Sequence, residues 1–471
     1  MLQELSSELF ELAEWASGAH YRDAPGDVKA RFLTITLDTL GVMAVGGSHM
    51  ARRAPDAVGY AASGRAPRPP VSPEDGVYRY GTASSAPLLE AISWNGRASV
   101  CLELDEGNKY VRGHPATHVF PAALAVAQAH GVDGETLLSA LLVGHEVASR
   151  FGRATTPNPG VHPHGNWGIA GAAAAVARLL AFDKERMAFA IDIASGVPIA
   201  SNWESAIRGS AARDLWIGMA NIGGVLAADA AAGPVVGNAA WSLGNAIGRF
   251  TARTLSDSLG TAFSVRTDYI KRHPSCGYTH SPADAALALL AEEPALDACS
   301  IESIEVTTHA AASQLSERAP ANELAARFSI PWTVAVALVH GRCPVDAFDP
   351  TAPAAAAVRR LTAVTDVQAS EEFNRMLPDE RGARVRVRLA GGRILQHAVT
   401  NPVGDAANSP LTHAEVVAKL SALFEEPSIA TRLSALVEGL DATPDAAARI
   451  AETLAGPLRP GGQPSRSNQP I

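Results

Sequence analysis

Charge is scarce in this chain, and so are cysteine and the aromatic residues. Asp, Glu, Lys and Arg together make up 18% of the 471 residues, and Phe, Trp and Tyr 6%. So little charge beside so much apolar character excludes a disordered chain. With 39 basic and 48 acidic residues the net charge is −9, and no basic stripe with interleaved aromatics occurs. Nucleic acid is therefore not an expected partner. The four cysteines, Cys101, Cys276, Cys299 and Cys343, lie far apart without a C-x-x-C pair. Neither a disulfide framework nor a zinc ribbon is expected from them. No uninterrupted apolar run of about 20 residues is available to span a bilayer. The start, MLQELSSELFELAEWA, is acidic and amphipathic and lacks the form of a signal peptide. The expected setting is cytoplasmic, with no membrane. Nucleotide and esterase signatures are missing too: no G-x-G-x-x-G follows a strand, and neither G-x-x-x-x-G-K-[ST] nor G-x-S-x-G occurs.

What the chain has is apolar bulk, 47% hydrophobic and rich in alanine. Alanine favours close-packed helices, and the length calls for more than one core. Helical periodicity predicts helices over 3–18 and 27–45, the latter stopped by Gly46-Gly47, and again over 86–100. Residues 50–85 read as a helix followed by a long surface loop. Helix follows helix from 115 to 183, with Asp133 as an N-cap, and further helices cover 183–196 and 209–231. Near 265 the pattern changes. IESIEVTTHAAA alternates like a strand, and RGARVRVRLAGGRILQHAVT reads as a hairpin turning at Gly391-Gly392. The expectation is a mainly α protein: a large all-helical domain over 1–265, completed by 401–458, a smaller α+β domain over 266–400, and a disordered tail over 459–471.

Chemistry concentrates in four places. Residues 101–130 carry Glu103, Asp105 and Glu106, then His114 and His118 at the mouth of an alanine-rich helix. Unpaired, such groups would be costly to bury; together at a helix N-terminus they suit acid–base work, although a solvated capping loop fits equally well. His162, His164, Asn166 and Trp167 precede a second small-residue helix. Arg208, Arg213 and Asp214 flank Gly209-Ser210, where Arg213 also fits a structural ion pair with Asp214 or Asp229. Lys271, Arg272, His273, Cys276, Tyr278, His280 and Asp284 form the last group, in which Cys276 reads as a small buried residue. Mid-helix His145 and Glu146 read as an interior pair or a surface pair. His114 and His118 have chelating spacing, but Pro115 lies between them and the H-E-x-x-H pattern is missing, so no metal is expected. The shared inventory, cations and imidazoles with acids nearby, fits proton abstraction beside a carboxylate.

Five blocks in order, ELDEGNKYVRGHPATHVFPAALA, GVHPHGNWGIAGAAAAVARLL, GSAARDLWIGMANIGGVLAA, KRHPSCGYTHSPADAALAL and ARFSIPWTVAVAL, resemble the MmgE/PrpD family from about residue 30 to 420. That family includes 2-methylcitrate dehydratases, cis-aconitate decarboxylases and iminodisuccinate epimerases. The resemblance implies a site in a cleft between the helical domain and an α+β lid, a homodimer, a small polycarboxylate substrate, and neither metal nor organic cofactor. It implies a lyase, with epimerase and non-catalytic carboxylate binder as alternatives. Matched block by block, His114, His162, Asp105 and Lys271 are the expected catalytic residues. Glu103, Arg213, His164 and His280 are expected to bind substrate. The third block departs from the dehydratase and decarboxylase pattern: Arg213 and Trp216 stand where Lys and His are usual. Arg keeps the charge but cannot donate a proton at neutral pH, so a specificity other than 2-methylcitrate is expected.

Overall fold

The computed structural model describes residues 2–53 and 76–455. The expected tail over 459–471, and most of the loop expected within 50–85, lie outside those residues. The fold is mainly helical. Its first half runs α1 (Leu2–Gly18), α2 (Gly26–Arg53), α3 (Leu88–Val100), α4 (Pro115–His130), α5 (Gly134–Ala154), α6 (Ile169–Leu179), α7 (Lys184–Ser195), α8 (Trp203–Ile207) and α9 (Ala212–Asp229).

Helix α6 lies at the centre, against α4, α5, α7 and α9. Its alanines, Ala170, Ala172, Ala173, Ala174, Ala175 and Ala177, are all buried. Small side chains let helix backbones approach, as the sequence led one to expect. Asp133 caps α5 by accepting from the Thr136 amide at 2.8 Å. One expectation fails here. Gly46-Gly47 does not stop α2, which continues to Arg53. Both glycines are needed for close approach. A Cβ at Gly46 would strike the Ala98 carbonyl of α3, and one at Gly47 the Tyr80 carbonyl.

Buried apolar side chains form two main clusters. The larger joins α1–α7 and α9 to three C-terminal helices, His413–Leu423, Ser428–Glu438 and Ala446–Leu454, through residues such as Leu420, Leu433, Val437 and Ile450. The smaller surrounds a four-stranded sheet. Strand Ala383–Leu389 pairs antiparallel with Ile394–Val399 and with Ile301–Thr308, and the latter runs parallel to Thr365–Ala369. Val387 faces Ile304 and Val385 faces Val306 across the ladder. All four are buried, each such side chain contributing about 1.5–3 kcal/mol. Arg386 and Arg388 alternate onto the exposed face. The hairpin turns where expected, with φ +87 and +85 at Gly391 and Gly392.

Candidate active site

Between α3 and α4 the acidic stretch is held as a buried loop. Asn108 organises it: its Oδ1 accepts from the Tyr110 and Val111 amides, and its Nδ2 donates to the Ser264 carbonyl, Thr267 and Asp268. Gly107 and Asn108 also pair with Tyr269 and Asp268. That short ladder delivers Lys271 to the loop. The Lys271 Nζ lies 2.9 Å from Glu103 Oε2 and 3.0 Å from Asp105 Oδ1. Arg213, from the first turn of α9, closes on the other Glu103 oxygen and also donates to the Val100 carbonyl and Asp214. Glu103 sits at φ +55, a left-handed conformation that costs a non-glycine residue free energy. Two buried cations on one carboxylate hold it there.

His114 caps the mouth of α4, with Pro115 at the first helical position. Its Nδ1 lies 2.5 Å from the Glu106 carbonyl and 2.9 Å from Asp105 Oδ2. A carbonyl only accepts, so Nδ1 carries the proton and Nε2 is left free as an acceptor. Asp105 is wholly buried, and burial raises its affinity for a proton. The neighbouring His114 and Lys271 outweigh that and hold its carboxyl below the usual range. Glu106 runs the other way. Burial, with Asp268 close by, pushes it well above the usual range, and its Oε1 accepts from the Ala116 amide.

The other histidines are assigned by the same reasoning. His162 Nδ1 accepts from the His164 amide at 3.2 Å, so the neutral ring carries its proton on Nε2. Burial and the nearby His114 pull His162 down to about 3, which keeps it neutral. His118 Nδ1 donates to the His114 carbonyl, and its Nε2 accepts from the Gly165 amide. With both nitrogens committed, His118 positions the loop and cannot join His114 in a chelate. His164 is fully buried, its ring centroid 4.5 Å from His162 and 5.2 Å from His114. Neither of its ring nitrogens has a hydrogen-bond partner among the described residues. Two groups among the described residues have metal-ligand spacing: Asp105 with His114 and His164, and Glu106 with His145 and Asp268. In the first, Lys271 already supplies a cation to Asp105.

Part of this cluster opens onto a narrow pocket of about 40 Å³. Glu103, His114, His162 and Arg213 line it, together with Arg112, Trp203, Tyr269, Cys276, Tyr278, Phe328 and Arg381. Residues 10–257 match the family model of the MmgE/PrpD N-terminal domain, and residues 273–439 that of the C-terminal domain. The chain belongs to the MmgE/PrpD family. Among its relatives, the cis-aconitate decarboxylase of Aspergillus terreus is 26% identical, with 92% of this chain and 93% of that protein covered. A cis-aconitate decarboxylase-like protein, oryM, of Aspergillus oryzae is also 26% identical, over 94% and 96%.

Of the residues singled out for an MmgE/PrpD site, Glu103, Asp105, His114, His162, His164, Arg213 and Lys271 come together. Asp105, His164 and Lys271 are not among the residues that line this pocket, and neither is His280. Its Nε2 is 3.1 Å from the Ser275 carbonyl. Asp284 turns to His273, and Arg208 lies exposed on Glu204. His145 and Glu146 are both buried but not paired with each other. The first meets Asp268 at 2.8 Å and the second Arg150 at 2.8 Å. Arg213 makes the ion pair with Asp214 and bonds Glu103 as well. Trp216 packs against His162 with centroids 5.7 Å apart. Sequence reasoning missed Arg112, Trp203, Tyr269, Phe328 and Arg381. Arg381 was visible only as the start of a hairpin, yet its guanidinium lies 5.8 Å from the Tyr269 ring and 5.5 Å from the Tyr278 ring.

Proposed function

We propose that this chain is a lyase of small di- or tricarboxylates, with His114 as the proton-carrying group and no organic cofactor. The carrying observation is the His114 ring, whose proton is pinned on Nδ1 by the Glu106 carbonyl beside Asp105. Its free Nε2 is thereby available to take a proton from carbon beside a substrate carboxylate. The electron pair moves into that carboxylate and returns to form the carbon–carbon double bond as the hydroxyl on the adjacent carbon departs with its own pair, taking the proton from the His114 imidazolium and leaving as water. In the decarboxylating variant the carbon–carbon bond breaks and carbon dioxide leaves. The electron pair shifts into the remaining unsaturated carboxylate, and carbon takes its proton from His114, which enters this variant as the imidazolium and leaves it with Nε2 free. Asp105 steadies that imidazolium. His162, neutral with its proton on Nε2, donates a hydrogen bond to the developing charge. Arg112, Arg213 and Arg381 hold substrate carboxylates, while Lys271 pairs with Glu103 and Asp105. His164 is a further contact for the substrate side, and His280 acts only indirectly. The unit around the four-stranded sheet, residues 266–400, serves as the lid over the helical domain, and the setting is cytoplasmic.

The names of the relatives make cis-aconitate the first substrate to test. A depressed His162 is a poor second base, which counts against epimerisation. Proton NMR of the protein with cis-aconitate, citrate, methylcitrate and aspartate-derived acids reads the reaction directly. Loss of carbon dioxide or water, cut by about 10²–10⁴-fold in His114→Gln, supports the proposal. Deuterium wash-in without loss of either identifies an epimerase, and binding without turnover a carboxylate-binding protein. The reading includes a homodimer. Leu215, Met219 and Leu226 form an exposed stripe along α9, a face for a second copy, and light scattering at twice the chain mass is the expected result.

A further inference from the structure

His162 is fixed along its backbone by three hydrogen bonds. Its amide donates to the Ser201 carbonyl at 3.4 Å, and its carbonyl accepts from Ser201 Oγ at 2.6 Å and Asn166 Nδ2 at 2.8 Å. The ring itself has one hydrogen bond, the 3.2 Å contact from the His164 amide to Nδ1. Aromatic neighbours supply the rest of its confinement. The Trp203 indole meets the ring with centroids 4.6 Å apart and planes at 63°, and the Trp216 indole leans on it at 5.7 Å and 44°. His164 closes a further side at 4.5 Å.

Both indoles are anchored from elsewhere. Trp203 opens α8, donates its amide to the Gly160 carbonyl at 2.9 Å, and stacks on Tyr278 at 6.0 Å with planes 18° apart. Trp216 follows Arg213 by three residues in α9, so one helix face serves both Glu103 and His162. Gly165 admits it, because a Cβ at that position would stand 3.1 Å from the Trp216 Cβ. Trp203 lines the narrow pocket, whereas Trp216 is buried and does not.

We propose that Trp203 and Trp216 are positioning residues that clamp the His162 ring, so that Nε2–H is the polar ring atom left for the pocket and His162 acts as a donor only. A ring turned over would give up the His164 amide and present a bare Nδ1, which is a second base. The clamp thus confines proton transfer to His114. This inference rests on the reading of the pocket as a lyase site.

The test is nitrogen-15 NMR of the full chain labelled at histidine, with His162→Gln assigning the signal. At neutral pH the wild-type ring is expected in a single tautomer, protonated on Nε2. Trp203→Ala and Trp216→Ala free the ring and admit water, so the Nδ1-protonated fraction should rise several-fold. Trp203→Phe and Trp216→Phe keep an aromatic wall and should hold the wild-type tautomer. His118, which rests on Trp167 instead, is the internal control and should not change. Circular dichroism identifies a variant that fails to fold, and the half-buried Trp203 then decides. A His162 tautomer unchanged in the folded alanine variants overturns the proposal, as does an equal change in the alanine and phenylalanine variants. The ring signal is read without turnover. A clamped ring in a protein without lyase activity would sink the lyase reading alone, and turnover with an unmoved tautomer would sink the clamp alone.

Discussion

The narrow pocket and a wider cavity of about 810 Å³, lined by Leu102, Leu104, Arg272 and Lys419 among others, are two sides of one wall. Along residues 102–105 the chain alternates: Glu103 lines the narrow pocket, whereas Leu102 and Leu104 line the cavity. The same happens at Lys271, wholly buried against two carboxylates, and its neighbour Arg272, exposed on the cavity side. Identical formal charges one residue apart therefore sit in opposite environments. On the dry side each charge needs a partner and is ordered by it. On the wet side a charge can remain unengaged at little cost. The dry side thus holds preset protonation states, and the wet side holds a field that attracts anions.

The sharpest break of that contrast is Lys271→Met. It leaves Glu103 with only Arg213 and Asp105 with only His114 in a buried site. Removing one partner of a buried ion pair costs about 3–5 kcal/mol. A large fall in the urea midpoint with loss of turnover is expected. An unchanged midpoint would mean that water reaches these carboxylates and that the dry side is not dry.

A second test uses pH. Burial pulls His273 down, but Cys343 and Asp284 outweigh it and push the ring up to about 9. A histidine whose folded value exceeds its unfolded value of about 6.5 stabilises fully below that pH. The contribution fades as pH rises through 9. Buried His118 and His162 are depressed, to about 4 and about 3. Their effect is the reverse: stability present above about 6.5 and lost as pH falls. Stability should therefore peak near neutrality. Urea melts at pH 6.5 and 9 should differ by roughly 1–3 kcal/mol, and Asp284→Asn should flatten the alkaline limb while leaving the acid limb in place. Equal loss on both limbs would assign the alkaline effect elsewhere.

How far the sequence reveals this arrangement follows from chain distance. The acid–imidazole stretch at 103–118, the alanine-rich helices and the 383–399 hairpin are local patterns, and periodicity or composition exposes them. Lys271 was reachable through its motif. The contact between the Gly107–Asn108 and Asp268–Tyr269 segments was not, because two residues on each side carry no alternation to read. Tyr269, Trp203, Phe328 and Arg381 reach the pocket only through such closures. Strand Thr365–Ala369 shows one buried position among five, too few for a period. Gly46-Gly47 misled for a related reason. Glycine at a helix stop and glycine under a crossing backbone look alike until the neighbour is known. The third-block change is legible as chemistry but not as geometry: only the fold places Trp216 on the His162 ring.

The smallest expected effect comes from the wet side. Arg272→Gln removes a full charge next to Lys271 in sequence, from an exposed position with no ion pair among the described residues. Exposed charges of this kind contribute about 0–1 kcal/mol, and Glu415, an acid it influences, is itself held low chiefly by Thr412. The urea midpoint should barely move, and turnover on the true substrate should stay within about twofold. Measured beside Lys271→Met, this variant isolates environment from charge, because both remove one positive charge from adjacent positions. If Arg272→Gln abolished turnover while the midpoint held, the cavity would be feeding substrate to the narrow pocket, and the wall between them would be a passage.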